Sequence, residues 1–217
     1  MTEPEALKER HSVRNYLEKA IEQEKLDALN ACIAECNQAG NLHLQLLVDA
    51  GKTFNRLLNR AMGLSTAPSV IAMVGPEGQD LDERIGFYGE KIVLLAQMLG
   101  LNTCWAGTFN AGNVPAQIAE GERLVIVIAI GYGRDTGKAH RSKTAEQVSN
   151  VTAASPEWFR KGVEYALLAP TAINQQKFRI ELKDDGSVNF TDLGGVFSKV
   201  DLGIVRYHFE LAKATKD

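Results

Sequence analysis

Cysteine is scarce in this chain. Three occur in 217 residues, Cys32, Cys36 and Cys104, an odd number without paired spacing, which argues against a disulfide framework and for a reducing compartment. Cys32 and Cys36 stand four apart on one predicted helix face. They would ligate a metal only if histidines or carboxylates converged on them, so they are read as small buried apolar residues and no metal is expected. A strong charge of either sign is also missing: 24 basic against 27 acidic residues give a net charge of −3. With no lysine-rich tail, nothing makes a general electrostatic case for a nucleic-acid partner. No apolar run approaches the roughly 20 residues that span a bilayer. The opening stretch MTEPEALKERHSVRNY has no apolar core, so neither a signal peptide nor a membrane partner is expected, and the cytoplasm is the expected location.

Familiar catalytic spacings are missing too. There is no Ser-His-Asp set, no paired-carboxylate pattern and no zinc spacing. Gly131-Tyr132-Gly133 follows a predicted strand but lacks the third glycine and the downstream acid of a dinucleotide fingerprint. The four histidines, His11, His43, His140 and His208, are read as surface or satisfied core residues, and none as an acid or base.

What is present is a spine, the stretch 84–107, RIGFYGEKIVLLAQMLGLNTCWAG. Between residues 92 and 101 the only polar side chain is Gln97, and a helix with no solvated stripe must be covered on every side. It is predicted as a buried central helix over 84–100, entered through Glu90 and Lys91 and stopped by Gly100. Residues 101–107 then suit a short strand or turn passing close to a flat ligand.

The remaining elements arrange themselves around that helix. A short helix is predicted from residue 5, delivering ERHSVRNY into a turn. A second helix spans 22–39 with Leu26, Leu29, Ile33 and Cys36 on one face and Gly40 as its stop. Alternation over 42–49 reads as a half-buried strand, 52–61 as a short amphipathic helix, and 63–68 as a turn. SVIAMV (69–74) and RLVIVIAI (123–130) are apolar after their first residue and read as buried strands. After a linker at 151–155, Ser155-Pro156-Glu157 starts a helix with Ser at the cap and Pro in the first position, running to about residue 168. A hairpin follows, 178–182 and 187–190, turning at Asp185-Gly186, and a last helix covers 201–214. The class is α+β: a central mixed or antiparallel sheet with flanking helices around the buried central helix.

Two basic clusters interrupt this frame. Arg10, His11 and Arg14 flank Ser12 near the N-terminus; two arginines four apart with a hydroxyl between them suit a phosphate, although a solvated basic face has the same composition. Arg134, Lys138, His140, Arg141 and Lys143 lie in a loop directly after a strand, a favourable place for ligand-binding charge.

Together these motifs resemble the FMN-dependent nitroreductase family, in particular its branch of small nitroreductases. ERHSVRNY resembles the family's N-terminal R-x-S-x-R segment. The resemblance implies that Arg10, His11, Ser12 and Arg14 bind the phosphate, ribityl chain and pyrimidine edge of FMN. GEKIVLLAQMLGLNTCWAG is similar to the family's central helix and the loop whose backbone lies against the flavin ring, here Cys104, Trp105, Ala106 and Gly107. Arg141-Ser142-Lys143 resembles the late basic pair that closes over the phosphate, through Arg141 and Lys143. ALLAPTAINQQKF is similar to a stretch that contacts the ring, matching Asn174 and Gln176. Two departures stand out. Lys177-Phe178 replaces the usual Pro-Trp, and this stretch follows the central helix instead of preceding it, so the motif order is rearranged.

The resemblance implies a single nitroreductase-like domain over 1–217, with a core at 1–150 carrying the FMN phosphate motifs and a helix-hairpin-helix segment at 151–217. It implies an FMN oxidoreductase that moves hydride from NAD(P)H to a nitroaromatic or quinone-type acceptor, in a homodimer with the flavin at the interface. The alternatives are a flavin-binding module without catalysis and a flavin enzyme of other chemistry, dehalogenation or ring oxidation. FMN carries a phosphate dianion, which about two or three cationic donors would hold, and the two basic clusters contain that many. Backbone N–H groups can serve the ring, so no side-chain acid or base is required.

Overall fold

The computed structural model describes residues 1–48, 50, 53–54 and 67–214. Along the chain these fold into helix α1 (Glu3–Glu9), helix α2 (Gln23–Gly40), strands β1 (Gln45–Leu47) and β2 (Ser69–Pro76), helix α3 (Leu81–Met98), strands β3 (Asn102–Ala106) and β4 (Glu122–Gly131), helices α4 (Ala145–Val148) and α5 (Glu157–Ala166), the hairpin β5 (Phe178–Leu182) and β6 (Val188–Asp192), and helix α6 (Ser198–Ala214). The class is α+β, as the sequence predicts.

The main sheet has the order β1-β2-β4-β3, with every pair antiparallel. A parallel bridge from Ser12 to Thr103 adds the N-terminal segment at the β3 edge and makes the sheet mixed. The unbroken apolar runs of β2 and β4 follow from burial on both faces, because successive side chains point to opposite sides. Ile71, Met73, Ile126, Ile128 and Ile130 enter the core built on α3. Val70, Ala72, Val74, Val127 and Ala129 enter a second core with Val13, Tyr16 and Phe54.

Helix α3 begins three residues before the predicted start at 84. It stops as predicted: Gly100 takes φ 74°, its N–H reaches the Gln97 carbonyl at 3.0 Å, and the Leu101 N–H reaches the Ala96 carbonyl at 2.9 Å. That pair of bonds satisfies two terminal carbonyls, and the left-handed residue between them is most easily glycine. Ile92, Val93, Leu94 and Ala96 have no exposed surface. Helix α6 crosses α3 at backbone contact. A Cβ on Gly86 would lie 2.0 Å from the Val200 carbonyl oxygen, and one on Gly203 2.0 Å from that of Glu83. On the far side of α6, Phe209 packs its ring edge against Phe159 of α5 and Phe190 of β6.

Several boundaries differ from the sequence reading. Gly40 is the last residue of α2, and the left-handed stop is Asn41 (φ 46°); at Gly40 a Cβ would sit 2.5 Å from the Tyr88 ring. The strand expected at 42–49 shrinks to β1 because the Asn37 side chain holds both the N–H and the carbonyl of Leu44, at 2.7 and 3.0 Å. Pro156, not Ser155, takes the cap position of α5, and the Ser155 hydroxyl instead accepts the Thr152 N–H at 2.9 Å. The hairpin turn expected over 183–186 gains one residue: β6 begins at Val188, and Lys183 N–H bonds the Ser187 carbonyl at 2.9 Å. The helix expected at 52–61 and the turn at 63–68 fall mostly outside the described residues.

Candidate functional site

The N-terminal segment is pinned along the edge of the sheet. Val13 N–H donates to the Thr103 carbonyl at 3.0 Å, and the Tyr16 hydroxyl donates back to the Val13 carbonyl at 2.7 Å. This brings Ser12 and Arg14 beside the end of β3, where a cavity of about 300 Å³ opens. Cys104, Trp105, Ala106 and Gly107 line one wall together with Ser12 and Arg14. These six come from two segments some 90 positions apart, and all six are residues the sequence singles out. The volume lies at the lower end of the range of small-molecule sites, about 300–1,000 Å³.

The opposite wall is a pair of loops. The first runs from Pro170 into the 3₁₀ turn Ala172–Asn174, and the second carries Val196 and Phe197 into α6. Asp201 ties them together. One of its oxygens accepts the Ala172 N–H at 2.9 Å and the other accepts Gln175 Nε2 at 2.8 Å, while Gln175 also reaches the Val196 carbonyl at 2.8 Å. These contacts hold an unusual backbone: Ile173, Asn174, Gln176 and Phe197 all have positive φ, between 46° and 55°. For a β-branched residue such as Ile173 that is a costly conformation. Burial raises the Asp201 carboxyl to about 6, against the two hydrogen bonds that favour its charged form. Among the lining residues Asp201 is the one acid and Arg14 the one Lys or Arg.

Beneath the first wall, Trp105 Nε1 donates to Glu90 Oε2 at 2.8 Å. The indole lies close enough to α3 that a Cβ on Gly89 would come within 2.4 Å of it. Trp105 is thus both a packed aromatic and a cavity wall. Burial raises the Cys104 thiol above its ordinary value, opposed by the charges of Arg14 and Arg10, so the thiol stays protonated.

The other predicted residues form a second group. Asn174 Nδ2 donates to the Arg141 carbonyl at 2.9 Å, and Gln176 Nε2 donates to the same carbonyl at 3.0 Å. Lys143 bonds Gln176 through both its backbone N–H and its ammonium. The motif at 141–143 and the motif at 174–176 are therefore one unit. It is continuous with the cavity, because Ile173, next to Asn174, lines it. Arg141, Lys143 and Arg14 are exposed. His11 lies where the Gly137 loop packs onto the N-terminal segment, 2.9 Å from the position a Gly137 Cβ would take. His140 in that loop meets the Leu167 carbonyl at 3.0 Å, and burial, with the charges of Arg10, His11 and His208, lowers its pKa. Arg10 alone turns inward: it is buried, 3.6 Å from Glu90 Oε1, and its Nε has no hydrogen-bond partner.

Sequence reasoning does not reach Asp201, Gln175 or Phe197, nor the partnership of Glu90 with His208. Asp201 and Glu90 do leave a trace, an acid set inside an otherwise apolar helix face. Nothing local marks Phe197. Among the described residues no set of three or more metal-ligating side chains converges, and no helix is long and apolar enough to cross a membrane. Cys32 and Cys36 are buried free thiols.

The model of the family described as "Putative TM nitroreductase" matches residues 4–213. A crystal structure described as "a putative nitroreductase" from Thermotoga maritima superposes with a TM-score of 0.69 at 24% identity, covering 98% of this chain and 83% of that one. A nitroreductase family protein from Streptococcus pneumoniae gives 0.54 at 12% identity, covering 68% and 98%. A protein described as an FMN-dependent nitroreductase from Clostridium difficile gives 0.49 at 22% identity, covering 63% and 90%. No curated protein matches the chain.

Proposed function

We propose, from the premise that this chain belongs to the family described as "Putative TM nitroreductase", that it is an FMN-dependent oxidoreductase acting on nitroaromatic or quinone-type acceptors. The observation that carries the reading is the shared wall: Ser12 and Arg14 meet Cys104, Trp105, Ala106 and Gly107 around one cavity. The donor set fits the cofactor. A buried arginine with an unpartnered Nε and two exposed cations, Arg141 and Lys143, suit a phosphate dianion. A slot with a mostly apolar lining suits a ring system.

In this reading Arg10, Arg141 and Lys143 serve the phosphate, and His11 and Ser12 the ribityl chain. Arg14 faces the pyrimidine edge, and the backbone of residues 104–107 lies along the ring. Asn174 and Gln176 shape the loop that completes the site. FMN, when bound, supplies the two-electron chemistry that takes hydride from NAD(P)H and gives it to the acceptor. The side chains themselves bind and orient. Arg14 offers positive charge to a developing anion at the cavity wall, while the protonated Cys104 thiol serves as packing. Trp105 and Phe197 keep water from the slot.

The same reading includes a single domain and a homodimer. Ile173 and Val196 line the cavity yet remain 84% and 61% exposed, and Leu193 beside them is 56% exposed. Apolar surface of that kind is characteristically covered by another chain, and light scattering on the purified protein would read twice the chain mass. The activity test is oxidation of NADPH or NADH in the presence of a nitroaromatic acceptor. Bound FMN without such oxidation would contradict the enzyme reading.

A further inference from the structure

Behind the Trp105 wall lie two side chains with no exposed surface, Glu90 of α3 and His208 of α6. Glu90 Oε1 is 3.0 Å from His208 Nε2. The other imidazole nitrogen, Nδ1, is 3.1 Å from the Tyr165 carbonyl oxygen. A carbonyl can only accept, so Nδ1 carries a hydrogen. The Nε2···Oε1 contact then requires one further proton, on the nitrogen or on the oxygen. Either placement gives the pair no net charge, as imidazolium with carboxylate or as imidazole with carboxylic acid. The remaining oxygen, Oε2, is taken by the Trp105 indole.

Arg10 approaches the same oxygen that His208 occupies, and stays at 3.6 Å with its side chain 3% exposed. That distance is too long for a hydrogen bond, and Nε has no other partner. Because the proton on the His208–Glu90 pair already balances the carboxylate, and no second carboxylate among the described residues pairs with Arg10, its charge is left without a counter-charge there. Burying an unbalanced charge is costly, so its place two residues before Ser12 suits an anion supplied from outside the chain.

We propose that His208 is a positioning residue for anion binding: by holding Glu90 it prevents a closed Glu90–Arg10 ion pair and keeps the Arg10 guanidinium available to a phosphate group. This rests on the flavin nucleotide reading above and extends it to two residues on α3 and α6. Glu90 has a double task here, fixing the Trp105 indole through Oε2 while His208 occupies Oε1.

The test uses the full chain freed of flavin, titrated with FMN and separately with inorganic phosphate, with the Trp105 indole N–H resonance (assigned through Trp105→Phe) as a second readout. His208→Gln keeps a polar side chain of similar size but removes the extra proton, so Glu90 turns to Arg10. Both dissociation constants should rise roughly tenfold, equivalent to about 1.4 kcal/mol, with the indole signal shifted. Glu90→Gln in the His208→Gln background removes the competing charge and should restore binding to within about threefold of the original. Glu90→Gln alone should bind phosphate as well as the original chain. Unchanged binding in His208→Gln overturns the inference, as does a double variant weaker than His208→Gln. A merely structural role for the pair predicts that second result. Should His208→Gln not fold, a loss of phosphate binding in Glu90→Gln overturns the inference by itself, since it would make Glu90 a supporter of Arg10. Phosphate binding with this mutational pattern but no uptake of FMN would sustain the inference and overturn the flavin reading.

Discussion

Lys143 and Gln176 grip each other twice: the Lys143 N–H donates to Gln176 Oε1 at 2.8 Å, and the Lys143 ammonium donates to the Gln176 carbonyl oxygen at 2.7 Å. Gln176 is 3% exposed, sits at φ 46° and also reaches the Arg141 carbonyl. Its amide is what makes the 141–143 and 174–176 segments one body. Gln176→Ala removes the acceptor of a partly buried N–H and the two amide N–H groups that reach the Arg141 carbonyl and Asn174 Oδ1, so a loss of about 1–3 kcal/mol is expected in urea unfolding. FMN affinity should fall with it, because the Lys143 backbone N–H loses its acceptor while its ammonium keeps only the backbone carbonyl of residue 176. Stability equal to the original would mean that the loop takes its shape from other contacts.

Asp201 gives the fold a pH signature. Burial lifts its carboxyl to about 6 in the folded chain, from an ordinary 3.8. A group whose pKa is raised by folding contributes stability that is present below its unfolded value and lost as pH rises through its folded value. The contribution is therefore complete below about pH 4 and gone above about pH 6, amounting to on the order of 3 kcal/mol. Asp201→Asn cannot ionise, so its unfolding free energy between pH 4 and 7 should decline less steeply than that of the original chain. Two parallel curves would show that Asp201 titrates at its ordinary value.

The sequence makes the sheet and the central helix legible for a clear reason. Runs such as LVIVIAI and the glycine-stopped end of the central helix from residue 92, where Gln97 is the one polar side chain, leave no solvated stripe, and only a layered core can bury them. The cavity wall at 104–107 and the N-terminal Arg-x-Ser-x-Arg pattern are legible because their chemistry is contiguous. The opposite wall is not. Asp201, Gln175 and Phe197 act through tertiary contacts and through left-handed backbone at residues that propensity would not place there. Arg10 shows the same limit in reverse: its place in the N-terminal motif suggests the phosphate role proposed above, but its inward turn toward Glu90 depends on tertiary packing against α3. The shift of the α2 stop from Gly40 to Asn41 rests on the left-handed backbone of Asn41, and the short β1 on the Asn37 side chain, which competes for the backbone groups of Leu44.

The crossing of α3 and α6 tolerates no side chain at its centre. At Gly86 and at Gly203 a new Cβ would lie 2.0 Å from a carbonyl oxygen of the other helix, and backbone cannot step aside as a flexible side chain does. Gly86→Ala or Gly203→Ala should each cost about 1–3 kcal/mol or more through forced separation of the helices. The midpoint of chemical unfolding reads that loss. Because His208 lies on α6 and Glu90 on α3, Gly203→Ala should also shift the Trp105 indole resonance. A stable Gly203→Ala chain with an unmoved resonance would mean that the helices meet less closely than their backbones indicate.

The central claim is that Ser12, Arg14 and residues 104–107 wall a flavin site. An absorbance spectrum of the purified full-length chain tests it most directly, before and after incubation with FMN and gel filtration. The account predicts a yellow protein, or a colourless one that retains FMN in about one equivalent per chain and releases it more readily after Lys143→Ala. A chain that emerges colourless from both treatments contradicts it.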